Sequence, residues 1–293
     1  VSARRLGALA LAACVGLAAA GGCRKASTAV PGEAQEAAGN RAYAAGDFAG
    51  AASAYQQAIS AGLRLPRVQN NLANALVRDG KLGAAQAAYR AALAADPEYL
   101  FATNNLVVAL YRGGERDRAW ELLTKAQMSW PRVSFFYTTA GYLRHLEGDN
   151  AAALKAFQEA IRLNPDSPAA LNNYGTLLLE SPQADVDPLP YLMRAIEKDP
   201  ENGLFRDSLG WYYFTKGMFA EATIEIGKAF LYDPKNLEVR VHYATVLEWI
   251  GKEKEALEQW TKVLELADDE RVKRIAHEHY WDLQGRGVSA AAN

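Results

Sequence analysis

Small residues recur along this chain at one fixed interval. Ala51, Ala85, Ala119 and Ala153 stand 34 residues apart, and Ala222 and Ala256 repeat the step. The gap of 69 from Ala153 to Ala222 spans two such steps. Gly46, Gly80, Gly114, Gly148, Gly217 and Gly251 keep the same rhythm, as do Pro97, Pro131, Pro165, Pro200 and Pro234. A period of this length marks stacked supersecondary units, none of which can bury its apolar face alone.

The residue types fit a pair of helices per period. A small residue in the first helix (Gly39, Ala73, Gly141, Gly175, Gly210, Ala244, with Val107 the large one) lets the second helix cross closely. The recurring Gly then ends the first helix, because a left-handed position suits Gly. In the second helix the recurring Ala permits close approach. The large residues Tyr55, Tyr89, Leu123, Phe157, Leu192, Ile226 and Trp260 fill the space between pairs, and Ala follows three positions later in each but the last, which has Val263. Pro closes the unit. Ala richness with few β-branched runs favours helix throughout.

A turn Gly, a second-helix Ala and a closing Pro at these spacings resemble the tetratricopeptide repeat. Asn40, Gly46-Asp47-Phe48 and Tyr55-Gln56-Gln57-Ala58 look like its consensus. The resemblance implies an all-α fold: a right-handed α-solenoid of about seven helix-turn-helix units with a capping helix. The expected units are 32–65, 66–99, 100–133, 134–167, 168–202, 203–236 and 237–268. The fifth departs from the pattern: Pro182 replaces the turn Gly, Pro188 replaces the packing Ala, and one residue is inserted between them. An altered turn is expected from Ser181 to Pro188, with Asp187 capping and Pro188 at the first helical position. Val272, Ile275, Ala276, Tyr280 and Leu283 share one helical face, which predicts a capping helix over 269–285 and a disordered tail over 286–293.

The N-terminus has a different character. Arg4-Arg5 precedes an uncharged stretch from Leu6 to Ala20, and Gly21-Gly22-Cys23 follows. A basic start, an apolar stretch and small residues before a cut site predict a signal peptide over 1–22. Ala20-Gly21-Gly22-Cys23 resembles the lipobox of bacterial lipoproteins, which implies lipidation at Cys23 and a tether over 23–31. Leu11-Ala12-Ala13-Cys14 is the alternative, but it leaves a shorter apolar stretch before the Cys. The implied location is the bacterial cell envelope, lipid-anchored at the periplasmic face of the outer membrane. Two acyl chains hold more firmly than one, at roughly 0.8 kcal/mol per buried methylene.

Charge is unevenly spread. The net charge is −2, yet Arg64 to Arg144 carries 11 basic and 6 acidic residues, net +5, and His145 to Asn293 carries 16 and 25, net −9. Such a division can orient a charged partner. Both cysteines, Cys14 and Cys23, lie in the N-terminal segment, so the repeats hold no disulfide or cysteine metal site. His277-Glu278-His279 has a spacing of two, which points its histidines to different sides of a helix, so no metal site is expected. No phosphate loop, serine elbow or paired-carboxylate context appears, and no sustained basic stripe suits nucleic acid. Neither an enzyme nor a cofactor is expected.

In tetratricopeptide proteins the first helices line the concave face. Carried over position by position, that resemblance implies a protein or peptide groove built from Asn71, Asn74, Arg78, Phe101, Asn105, Tyr111, Arg112, Phe135, Tyr142, Asn173, Asp207, Trp211 and Trp249. Asn71, Asn105 and Asn173 share one repeated position, where amides offer donor and acceptor to an extended backbone. The aromatics suit binding hot spots. Asp207-Ser208-Leu209-Gly210-Trp211 also resembles the C-terminal end of many bacterial repeat-containing lipoproteins. The expected function is an envelope scaffold or adaptor. The alternatives are a structural homo-oligomer with an idle groove, or a pilotin-like assembly factor.

Overall fold

The computed structural model describes residues 30–181 and 186–288. Among these residues are fifteen α-helices and no strands. In chain order they are α1 (Glu33–Ala44), α2 (Phe48–Ser60), α3 (Pro66–Arg78), α4 (Leu82–Ala95), α5 (Leu100–Arg112), α6 (Arg116–Ser129), α7 (Ser134–Leu146), α8 (Asn150–Leu163), α9 (Pro168–Glu180), α10 (Leu189–Lys198), α11 (Gly203–Thr215), α12 (Phe219–Tyr232), α13 (Leu237–Trp249), α14 (Glu253–Leu266) and α15 (Glu270–Gly285). That is seven helix-turn-helix units and a final helix, the architecture of an α-solenoid. The proposed signal peptide, Cys14, Cys23 and most of the tether lie outside the described residues. Among the described residues no helix is long and apolar enough to cross a membrane.

Local chemistry sets the helix ends. Asp47 and Asp149 accept from the backbone N–H three residues on, at 2.9 and 3.0 Å. Asn202, Asn236 and Asp269 cap α11, α13 and α15 in similar fashion. Each cap satisfies a helical N–H that has no partner within its helix. The turn glycines from Gly46 to Gly251 all have φ near +80°, for example 75° at Gly46 and 84° at Gly114. A Cβ there is strained, which is why Gly recurs.

The described residues form two compact units, 30–143 and 144–288. In the first, Ala51, Ala85 and Ala119 are fully buried, and Tyr55, Tyr89 and Leu123 fill the gaps beside them. A Cβ on Gly39 meets the Tyr55 ring at 2.7 Å, so the helix crossing tolerates no side chain. In the second, Ala153, Ala222 and Ala256 are fully buried, as are Phe157, Leu192, Ile226 and Trp260. A Cβ on Gly175 meets Leu192 at 2.8 Å. Fully burying one such large apolar side chain contributes about 1.5–3 kcal/mol.

The altered fifth turn is described on its C-terminal side only. The Asp187 carboxylate accepts from Leu189 N–H at 3.1 Å and from the Tyr212 hydroxyl at 3.2 Å, and Pro188 is buried. Pro188 is the N-cap and Leu189 the first helical residue, one position later than the sequence predicts. At the other end, α15 buries Ala276 and Leu283 against Leu257, Trp260 and Val263. The expected tail starts too early. Val288 packs against this cluster and donates its N–H to Leu283 O at 3.2 Å, while Arg286 pairs with Glu253. Residues 289–293 lie outside the described part.

Candidate interaction surfaces

The first helices of successive units are joined by polar side chains at sequence intervals of 31 and 35. In the unit 30–143, Glu36 accepts from the Arg67 Nε and terminal N–H groups at 3.0 and 2.9 Å, a bidentate pair. Asn105 Nδ2 donates to Asn70 Oδ1 at 3.0 Å and to Asn74 Oδ1 at 3.2 Å. Asn104 Oδ1 accepts from the Thr139 hydroxyl at 2.7 Å. Second-helix tyrosines brace the same row: the Tyr55 hydroxyl donates to Asn40 and the Tyr89 hydroxyl to Asn74, both at 2.7 Å. Burial pushes the Tyr55 phenol up to about 12, so it remains a donor at any physiological pH.

This geometry corrects part of the expected groove. Both N–H groups of Asn105 are committed to the preceding hairpin, and Asn74 is buried between Tyr89 and Asn105. Tyr111 is buried beneath the Arg116 guanidinium, whose carbon lies 5.4 Å from the ring centroid. Asn173 has no exposed surface. Asn74, Tyr111 and Asn173 are thus buried, and the Asn105 amide N–H groups serve the joint between hairpins. Asn71 and Tyr142 are half-buried, and Arg78 and Arg112 are exposed. Arg78 lies 4.3 Å over the Phe48 ring. Phe101, 40% exposed, stacks on Phe135 with centroids 5.7 Å apart. The unit 30–143 therefore presents the exposed guanidinium groups of Arg78 and Arg112 and a stacked aromatic pair on its first helices.

The unit 144–288 carries a different set. His242 Nδ1 lies 2.7 Å from Asp207 Oδ2, and both side chains are about 95% buried. The Trp211 ring stacks on His242 at 4.1 Å and on Phe214 at 5.0 Å. Phe214 meets Trp249 edge-on, and Trp249 is 62% exposed. Burial opposes charge on His242, but the Asp207 carboxylate, by charge and by hydrogen bond, and Glu238 outweigh it and push the imidazole up. Burial pushes Glu238 up to about 8; the His242 charge opposes this, while Asp207 and Glu180 add to it. Burial alone pushes Glu180 up to about 7. Sequence reasoning named Asp207, Trp211 and Trp249 but missed Glu180 and Glu238. The signal was present: Glu238 follows Asp207 by 31 residues, as Arg67 follows Glu36. Among the described residues no three metal-capable side chains converge.

With this geometry in hand, the likeness to known proteins is specific as to repeat type. Tetratricopeptide-repeat family models match residues 36–82, 70–132 and 141–181. No curated protein matches the chain. Among solved structures, the APC/C hetero-tetramer Cut9-Hcn1 is similar at 15% identity and TM-score 0.65, over 85% of this chain and 47% of that one. A tetratricopeptide repeat protein from Parabacteroides merdae ATCC 43184 is similar at 17% identity and TM-score 0.56, over 85% of this chain and 98% of that one. Yeast Tom70 is similar at 12% identity and TM-score 0.57, over 91% and 66%. The chain thus spans about half the length of the first and about two thirds of the third. At such identities the likeness shows the fold: an all-α array of tetratricopeptide repeats. Repeats of this kind generally bind proteins or peptides.

Proposed function

We propose that the protein is an exported, lipid-anchored scaffold of the bacterial cell envelope, and that its unit 30–143 holds an extended acidic segment of a partner protein. One observation carries this reading. Arg78 and Arg112 stand one repeat apart, both exposed, neither in an ion pair among the described residues, on the helix row that also exposes the Phe101–Phe135 stack. Exposed guanidinium groups at a repeat-spaced interval suit carboxylates along an extended chain. The apolar stack on the same row of helices suits a partner's apolar side chain.

The test is site-specific photo-crosslinking in the native host. A crosslinking residue at Phe101 or Arg112 captures one discrete envelope protein, and one at Met128, on an exposed second-helix position, does not. Capture from Met128 alone moves the site to the second helices and sinks the reading. The anchor is tested separately: a palmitate analogue labels the wild type and Cys14→Ser but not Cys23→Ser. The opposite pattern assigns the lipid to Cys14.

A further inference from the structure

We propose that Asp207, paired with His242, and Glu238, on the first helices of the last two repeats and in the field of Glu180 on α9, form a binding site for a lysine or arginine side chain presented by a protein ligand. This site is distinct from the arginine-bearing surface of the unit 30–143 and does not depend on that reading.

The first argument is a count of donors and acceptors. Asp207 is 95% buried; its Oδ2 meets His242, but its Oδ1 is buried with no partner. Glu238 makes no ion pair and no side-chain hydrogen bond among the described residues. Glu180 has only His145 Nε2, at 3.9 Å. Of the three carboxylates, only Asp207 meets an imidazole at hydrogen-bond distance, and on one oxygen. A buried acceptor left without a partner is costly and is found where a further group belongs.

The same arrangement of positions recurs near the other end of the chain. Glu36 stands three residues before the crossing Gly39, and Asp207 three before the crossing Gly210. Arg67 stands six before Ala73, and Glu238 six before Ala244. The two pairs occupy equivalent repeat positions. At the first, a guanidinium grips the carboxylate through two hydrogen bonds. At the second, the guanidinium position holds another carboxylate, and the cationic partner of Asp207 among the described residues is the His242 imidazole, which meets one oxygen only. The same backbone positions hold a planar cation at the first place, and at the second they offer one bare oxygen of Asp207 and the Glu238 carboxylate.

Access and field agree. The Glu180 side chain is 27% exposed, Glu238 is half-buried, and Trp211 and the exposed Trp249 border the same row of helices. Aromatic rings suit the stem and charge of an arriving Lys or Arg. The segment from His145 onward carries net −9, which draws cations toward it.

The test uses the full chain and two synthetic probes: hexa-arginine and hexa-citrulline, its uncharged analogue. Calorimetric titration at pH 8.5 gives one saturable site for hexa-arginine and none for hexa-citrulline. Glu238→Gln keeps the shape, removes a half-buried charge, and lowers affinity about tenfold or more. Glu270→Gln removes the same charge from an exposed position on α15 and lowers affinity less than about twofold. The groups acting on Glu238 are His242 on its own helix, Asp207 on α11 and Glu180 on α9, with His145 beside Glu180. Because the carboxylates must ionise to hold a cation, binding weakens from pH 8.5 to 6. Three results overturn the proposal: equal losses in the two variants, which show diffuse attraction only; full affinity in Glu238→Gln; and no saturable binding of hexa-arginine.

Discussion

Glu36 and Asp207 occupy the same place in two repeats, yet their surroundings are opposite. Glu36, in the unit 30–143, has a guanidinium on both oxygens, whereas Asp207, in the unit 144–288, faces Glu238 and keeps one oxygen buried and bare. The backbone frame is alike in the two places, with the same crossing residue three positions on. What differs is the sign of one side chain, Arg67 against Glu238, and the His242 imidazole, which stands on Asp207 where the first frame has Asn71. A repeat array fixes where side chains meet and leaves their chemistry free, so one fold can close a joint at one point and open a charged site at another.

The comparison breaks first if the two frames are not equivalent. Leu123 and Leu192 hold the same second-helix position in different units and are both fully buried. Leu123→Ala and Leu192→Ala each cost about 2–5 kcal/mol, the range for a buried Leu truncation with partial collapse. Denaturant melts of the full chain check this. A loss near zero at one site and several kcal/mol at the other breaks the equivalence.

The next effect is smaller and opposite in sign at the two places. Arg67→Ala leaves Glu36 nearly buried without its cation. Since Arg67 is itself 46% exposed, water screens part of the loss, and the expected cost is about 1–2 kcal/mol. Glu238→Gln removes a carboxylate that already lacks a cation, and it is neutral or stabilising by up to about 1 kcal/mol at pH 8. The pH dependence carries the same sign. The folded chain holds protons on Glu238 and Glu180 that the unfolded chain has released near the ordinary carboxylate range. Stability therefore falls as pH rises from about 5 through 8. The raised His242 acts in the same direction, since its contribution is lost as pH rises through its folded value. Melts across this range should flatten in Glu238→Gln, and an unchanged slope rejects the assignment.

Much of the fold was legible because its cause is periodic. The Ala, Gly and large apolar positions were read from spacing alone, and they are the buried, left-handed and space-filling residues of the structure. The joints were less legible. An Asn at a groove position reads the same whether its amide meets solvent or the preceding helix, and only three-dimensional pairing shows that Asn105 holds Asn70 and Asn74. Asn105→Ala accordingly lowers stability by about 1 kcal/mol as well as altering the face, so a melt separates the joint from the groove. Glu238 was passed over because an acidic first turn of a helix is ordinary in sequence. Its significance lies in which residue stands 31 positions earlier.

The smallest effect sharpens the comparison most, because it concerns surfaces alone. Arg112 is exposed and forms no ion pair among the described residues, so Arg112→Ala shifts the melt by no more than about 0.5 kcal/mol. Its influence belongs to binding. A hexa-glutamate probe gains from each exposed guanidinium about 0.2–1 kcal/mol, so Arg112→Ala weakens that probe by up to about fivefold. The double change at Arg78 and Arg112 weakens it further, and raising salt erases the difference. Neither change alters hexa-arginine binding, which depends on Glu238. Conversely, Glu238→Gln leaves hexa-glutamate unaffected. The measurement is a crossed titration of both probes against wild type, Arg112→Ala and Glu238→Gln at low and high salt. If each variant weakens or strengthens both probes together, charge acts through the net field of the chain. The contrast between a guanidinium surface in one unit and a carboxylate site in the other then fails.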